Sequence, residues 1–232
     1  MKNMRRIIAI GGGEIKNKTT LKIDEYVAGL IKEKANGGRG NALFVGTASH
    51  DSMPYFNSFR KTYTSVFDIK AEVALMVYGE MNMDKIKDKV ANADAIYIGG
   101  GDTLYMLEKW KENGFLDILK QAYLDEKIIV GLSAGAIFHF EKMYSDHDLK
   151  DVGEYNLYDG VGTLKGCMCP HYDDRITDFD KAIIDSKIPF SYAVENDCAI
   201  EFVDEEFTKV VTENKNAYKI TLSGNELIKE KL

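Results

Sequence analysis

A serine set between glycines, Gly131-Leu132-Ser133-Ala134-Gly135, follows the apolar run Ile128-Ile129-Val130 and precedes Ala136-Ile137-Phe138. Gly-x-Ser-x-Gly at a strand-to-helix reversal is the pattern of a nucleophile elbow. Such a reversal strains the backbone of its central residue. Side chains two positions to either side would collide with neighbouring backbone, so glycine is needed there. The serine oxygen then projects at a helix N-terminus, where unpaired N–H groups and the helix dipole favour negative charge. The N–H of Ala134 is placed to hold an oxyanion. The chemistry on offer is nucleophilic attack on a carbonyl. The competing structural reading is a glycine-serine turn that only caps a helix.

A serine hydroxyl needs a neighbouring base, and the chain has four histidines. If the helix after Ser133 continues, His139 lies about 9 Å along its axis and about 240° round it, out of reach. His147, within Ser145-Asp146-His147-Asp148, reads as part of a solvated loop. His50 follows a buried strand at the edge of the sheet where ligands are expected, and stands as a rival. His171 follows a short, largely apolar piece and Pro170, whose ring fixes the local backbone. It is the preferred base. A carboxylate should orient the imidazole. Glu195 and Asp197 both sit in a polar break between two apolar strands, and a polar hairpin turn is the alternative there.

The elements that must position these residues alternate along the chain. Strands are expected at 6–10, 42–45, 72–78, 95–98 and 127–132, and helices at 23–34, 56–66, 83–90, 104–110 and 116–123. Alternation of this kind implies crossover connections and a mainly parallel α/β sheet. Beyond Tyr144 the pattern changes to a helix at 179–186 and short strands at 191–194, 199–203, 209–212 and 217–222, read as antiparallel additions. No linker or repeat divides residues 1–232, so one domain is expected. Ligands of open parallel sheets sit beyond the carboxyl ends of the strands. Three such ends carry Gly11–Glu14, Gly99–Thr103 and Gly131–Gly135.

Composition narrows the function classes. With 45% hydrophobic residues among 232, the chain can bury a core and is not a disordered sequence. A net charge of −7 argues against nucleic acid or an anionic membrane as partner. No apolar run approaches the roughly 20 residues that span a bilayer, and residues 7–10 are too short for a signal-peptide core. Three cysteines do not make a disulfide framework, so a reduced cytoplasmic protein is expected. A metal site from Cys167, Cys169, His171 and Cys198 is a rival, but Cys-x-Cys-x-His is cramped and core thiols fit better. No residue set calls for a cofactor.

Gly99-Gly100-Gly101-Asp102-Thr103, Gly131–Ala136, Pro170-His171-Tyr172 and Val194-Glu195-Asn196, in that order, resemble the peptidase E family of aspartyl dipeptidases, which is related to cyanophycinase. The resemblance spans nearly the whole chain. It implies a flavodoxin-like three-layer sandwich akin to class I glutamine amidotransferases, with a mainly parallel sheet and a few antiparallel C-terminal strands. It also implies a serine-type dipeptidase with Ser133 as nucleophile, His171 as base and Glu195 as third triad member. The oxyanion donors would be Gly100 and Ala134. A bare glycine suits that role, since an approaching carbonyl needs an unobstructed N–H. The triple glycine lacks the lysine and spacing of a phosphate-binding loop. Arg175 is the only arginine close to His171 that could hold an acidic substrate side chain, although a solvated surface position is its default reading. Asp173 and Asp174 beside it oppose such a substrate. Small peptides are the expected partners, with the protein a monomer or homodimer. A cyanophycinase-like isopeptidase, or a small-ligand-binding protein that keeps the elbow without catalysis, are the alternatives.

Overall fold

The computed structural model describes residues 4–78, 81–147 and 154–232. The first three residues and Asp148, at the end of the polar stretch that holds His147, lie outside them. Strands β1 (Arg6–Ile10), β2 (Asn41–Val45), β3 (Lys70–Ala74), β4 (Ala95–Ile98) and β5 (Ile128–Leu132) are parallel and lie in the order β1-β5-β4-β2-β3. Helices α1 (Leu21–Lys34), α2 (Met53–Ser65), α3 (Met83–Asn92), α4 (Thr103–Asn113) and α5 (Phe115–Leu124) connect them. Successive strand residues face opposite sides. Ile8, Phe44, Tyr97 and Val130 meet Val27 and Ile31 of α1 and Phe59 and Tyr63 of α2. Ile7, Leu43, Ile96 and Ile129 face Val90 of α3, Trp110 of α4 and Leu119 of α5.

After β5 come a single helical turn, α6 (Ala134–Ile137), and then β6 (Phe140–Ser145), β7 (Asn156–Asp159), β8 (Leu164–Cys169), α7 (Tyr172–Asp185), β9 (Phe190–Val194), β10 (Cys198–Val203), β11 (Glu206–Thr212), β12 (Ala217–Ser223) and β13 (Glu226–Lys231). Strand β10 pairs antiparallel with β1, and β11 with β10, so both extend the first sheet. The others form a second sheet, β13-β12-β9-β8-β6-β7, whose central pairs β6·β8 and β8·β9 are parallel. One face of this second sheet shares the Ile7–Ile129 core through Phe140, Met168 and Tyr192. The other packs Cys167, Cys169 and Ala193 against Phe179 and Ile183 of α7. The mainly parallel α/β sheet with antiparallel C-terminal strands is therefore as expected, while the second sheet is an addition to that expectation.

The helix expected at 179–186 starts earlier, at Tyr172, and two other boundaries differ for local reasons. The third strand stops at Ala74 rather than continuing to Tyr78, because Oδ2 of Asp51 accepts hydrogen bonds from the N–H groups of Met76 and Val77, each at 2.6 Å. Those donors are thereby withdrawn from any ladder. The helix after Ser133 ends within one turn, and its N–H groups at Ala136 and Ile137 both donate to the Ser133 carbonyl oxygen. Among the described residues, no helix is long and apolar enough to cross a membrane.

Candidate active site

The carboxyl ends of β1, β4 and β5 converge on one point. Ser133 follows β5, and its N–H donates to the carbonyl oxygen of Ile10, the last residue of β1, at 2.9 Å. Its backbone lies at φ 50° and ψ −108°, a conformation that costs a non-glycine residue about 1–3 kcal/mol. The flanking glycines hold it there. A Cβ on Gly131 would overlap the carbonyl oxygen of Gly135, and one on Gly135 would overlap that of Ile98 in β4. The elbow read from the sequence is thus formed, and its serine is half-buried rather than sealed.

Ser133 Oγ lies 2.9 Å from Nε2 of His171. The histidine stands between β8 and α7 in the left-handed conformation, at φ 50° and ψ 41°, and its N–H donates to the Gly11 carbonyl oxygen at 3.0 Å. The glycines at the end of β1 serve this docking by having no side chains. A Cβ on Gly12 would overlap both Nδ1 of His171 and Oδ1 of Asn196, and one on Gly11 would overlap the carbonyl oxygens of Val194 and Glu195.

Desolvation pushes the His171 pKa below its ordinary value, and the charge of Arg175 adds to that, against a raising effect from the hydrogen bond to Asn196. A general base must be neutral, and the neutral fraction rises with pH through the lowered pKa. The acid limb of kcat/KM should therefore have its midpoint below the roughly 6.5 of an unperturbed histidine. A pH–rate profile checks this; a midpoint at or above that value would contradict the burial assigned to the ring.

The third position differs from the expectation. Nδ1 of His171 meets Oδ1 of Asn196 at 2.6 Å, and neither Glu195 nor Asp197 is its partner. The carboxylate of Glu195 turns the other way and accepts from the backbone N–H of Asn216 at 2.9 Å and from its side-chain amide at 3.1 Å. Asp197 is held through its backbone N–H on Gly12, and its Oδ1 is buried without a partner. The physical reason lies in the connection. Strands β9 and β10 belong to different sheets, so residues 195–197 are a crossing between layers rather than a hairpin. Only the middle residue of that crossing faces the imidazole. Glu195→Gln should accordingly lower turnover by less than about tenfold, against the roughly 10⁴-fold expected of a residue that sets the histidine tautomer. Steady-state kinetics of that variant would detect the difference.

Gly100 lies against the elbow, since a Cβ there would stand 3.5 Å from the Ser133 Cβ. Its N–H makes a long bond of 3.4 Å to the hydroxyl of Tyr55, whose pKa burial pushes up to about 12. Ala134 heads α6, where an N–H has no acceptor within the helix. Arg175, expected to be solvated or to bind substrate, is only 5% exposed. Its Nη2 donates to Asp146 at 3.0 Å, and its guanidinium lies 4.7 Å over the Tyr155 ring. The remaining histidines are engaged elsewhere. His50 packs on Tyr105 at 4.1 Å, and His147 Nδ1 lies 2.9 Å from Asp102. His139 is buried beyond the end of α6, and burial pushes its pKa down to about 3. Cys167, Cys169 and Cys198 are buried thiols whose pKa values desolvation raises. Among the described residues, no group of three or more His, Cys, Asp or Glu side chains is arranged to hold a metal ion. A cavity of about 620 Å³ lined by Tyr123, Phe138 and His139 touches none of the Ser133 site.

The model of peptidase family S51 matches residues 7–210. An uncharacterized peptidase of Bacillus subtilis (strain 168), YgaJ, is 28% identical over 230 residues, covering 97% of this chain and 95% of its own. Another uncharacterized peptidase, Lin0382 of Listeria innocua, is 27% identical over 96 residues, which is 40% of this chain and 46% of the relative. Among solved structures, a peptidase from an acI-B1 Actinobacterium superposes with a TM-score of 0.71 at 15% identity, covering 99% of this chain and 95% of that one. A putative peptidase E protein from Listeria monocytogenes EGD-e gives 0.63 at 19% identity, with 95% and 100% covered. At these identities the two structures speak for the fold.

Proposed function

Because the chain belongs to peptidase family S51, we propose that it is a serine-type peptidase that hydrolyses small peptides through an acyl-enzyme on Ser133. The observation that carries this reading is the 2.9 Å approach of Ser133 Oγ to His171 Nε2 across the carboxyl edge of the first sheet. His171 takes the hydroxyl proton as Oγ attacks the scissile carbonyl, and its Nδ1–H stays on Oδ1 of Asn196. The N–H groups of Gly100 and Ala134 receive the oxyanion. A charged oxygen is the stronger acceptor, so it displaces the 3.4 Å contact between Gly100 and Tyr55. The imidazolium then protonates the leaving amine. His171, neutral again, takes a proton from water as that water attacks the acyl-enzyme carbonyl, and returns it to Ser133 Oγ as the C–O bond breaks and the acid leaves.

The triad is Ser133–His171–Asn196 on this reading, rather than Ser133–His171–Glu195. Arg175 is buried, with Nη2 on Asp146 and its guanidinium face on Tyr155, so it does not lie open to a substrate carboxylate. A requirement for N-terminal aspartate is therefore not part of the proposal. The test is a panel of dipeptides with and without N-terminal aspartate, together with β-aspartyl isopeptides, followed by release of free amine. Cleavage of a small peptide that a sulfonyl fluoride abolishes is the expected result. Folded protein that releases no amine from any of them would contradict it.

A further inference from the structure

The side-chain amide of Asn196 is bonded on both edges. Its Oδ1 faces Nδ1 of His171 at 2.6 Å, while its Nδ2 donates to Oδ1 of Asp173 at 3.0 Å and to Oδ2 of Asp174 at 2.8 Å. The backbone N–H of Asn196 also donates to Asp173, at 2.8 Å, and Lys215 Nζ holds the second oxygen of that carboxylate at 3.0 Å. Building on the reading of Ser133 as nucleophile, we infer that Asp173 and Asp174 are positioning residues for the general base. Acting through Asn196, they select the tautomer of His171 and supply the negative charge that a neutral amide lacks.

The tautomer follows from donor and acceptor counting. An ionised carboxylate only accepts. The edge of the amide that meets two carboxylates must therefore be the NH₂, because the carbonyl oxygen there would face oxygen on both sides. Oδ1 is left to face His171. That oxygen also only accepts, so Nδ1 must carry the ring proton. Nε2 then presents its lone pair to the Ser133 hydroxyl, which is the form a general base requires. With an isolated asparagine the amide could turn over and hold the imidazole in the opposite, inactive tautomer. The two aspartates forbid that turn.

The second contribution is charge. When His171 accepts the serine proton it becomes a cation in a desolvated place. A neutral amide answers with a dipole only. Behind it, two carboxylates polarise the same amide and attract the cation at one remove. Both belong to the first turn of α7, where the helix N-terminus favours anions. Partial burial works against Asp173, but the bonds from Asn196 and Lys215 hold its pKa below the ordinary range. The other charged groups around the ring are Arg175 with its partner Asp146, Lys215, and Glu195 and Asp197 in the crossing itself.

The rate at which a fluorophosphonate labels Ser133, followed across the titration of His171, tests the inference without knowledge of the substrate. Asp174→Asn should slow labelling at the plateau by at least about tenfold, and Asp173→Asn/Asp174→Asn by more, up to the roughly 10⁴-fold of a wrong tautomer. Loss of negative charge lowers the imidazole pKa, so the acid limb should move to lower pH in both. Adding Asn196→Asp to the double variant moves the charge onto the residue that touches His171. It should restore labelling to within about tenfold of wild type and return the limb upward. Thermal melting confirms that each variant is folded, and Asp174→Asn leaves the Lys215 and backbone contacts of Asp173 in place. If wild type is not labelled at Ser133, the nucleophile assignment fails first. If wild type is labelled but the acid limb does not move, or Asn196→Asp brings no recovery, the aspartates have no role in the base and only this inference falls.

Discussion

Ser133→Ala is expected to abolish peptide hydrolysis, lowering kcat by about 10⁶-fold while the protein stays folded. The elbow geometry explains why the two effects separate. The backbone at residue 133 is held at φ 50° by its bond to Ile10 and by the glycines at 131 and 135, none of which involves the hydroxyl. Alanine keeps the Cβ that the strained position already tolerates. Only the contact to His171 Nε2 is lost. The acyl-enzyme can then not form, and what remains is the oxyanion site acting on bound water. Measured on any peptide that the wild type cleaves, a variant that kept more than about a tenth of wild-type turnover would remove Ser133 from the reaction.

Gly12→Ala should cost at least about 100-fold in kcat, although residue 12 touches no reacting atom. An added Cβ would overlap Nδ1 of His171 on one side and Oδ1 of Asn196 on the other. Both must shift for the methyl group to fit, and overpacking of this kind costs about 1–3 kcal/mol of stability. Neither can move far, because His171 is tied to Gly11 and Asn196 to Asp173 and Asp174. Displacing a catalytic group by about 1 Å is enough for that loss of rate. The stability and kinetic measurements together carry the prediction. A folded Gly12→Ala protein with near wild-type kcat would mean that the His171–Asn196 contact is unnecessary for catalysis.

The parts of the molecule legible in the sequence are those whose environment leaves one reading. Strands β1, β2, β4 and β5 are covered on both faces, so they are continuous apolar runs and their boundaries were read to within one residue. Ser133 and His171 were legible because glycines at forced positions beside the serine, and proline before the histidine, leave a local mark, whereas Gly100 was named only through the family resemblance. The second sheet was harder. Phe140–Ser145 carries the charged pair Glu141-Lys142 between buried Phe140 and buried Met143–Ser145, directly after a segment that reads as helix, and Glu226–Lys231 is an exposed edge strand with little apolar signal. The start of α7 is hidden by the acids of its first turn, Asp173 and Asp174, which interrupt apolar periodicity where Tyr172 and Arg175 are buried.

Asn196 was missed for a chemical reason. A triad partner was sought among carboxylates, and the acids on either side of it, Glu195 and Asp197, drew attention from the amide between them. The charge was displaced to Asp173 and Asp174, 23 and 22 residues earlier in the chain. The usable signal was the pair of acids two and three residues after His171, which has no place in a site built for an acidic substrate. Burial of Arg175 left no mark of its own, since its partners Asp146 and Tyr155 are distant in sequence.

The most direct test is to treat the folded protein with a fluorophosphonate and locate the adduct by peptide mapping. The proposal predicts one phosphonylated residue, Ser133, with the adduct absent in His171→Ala and fading as the imidazole is protonated. An unmodified Ser133 in folded protein, or labelling that proceeds equally without His171, would show that this hydroxyl is not the activated nucleophile.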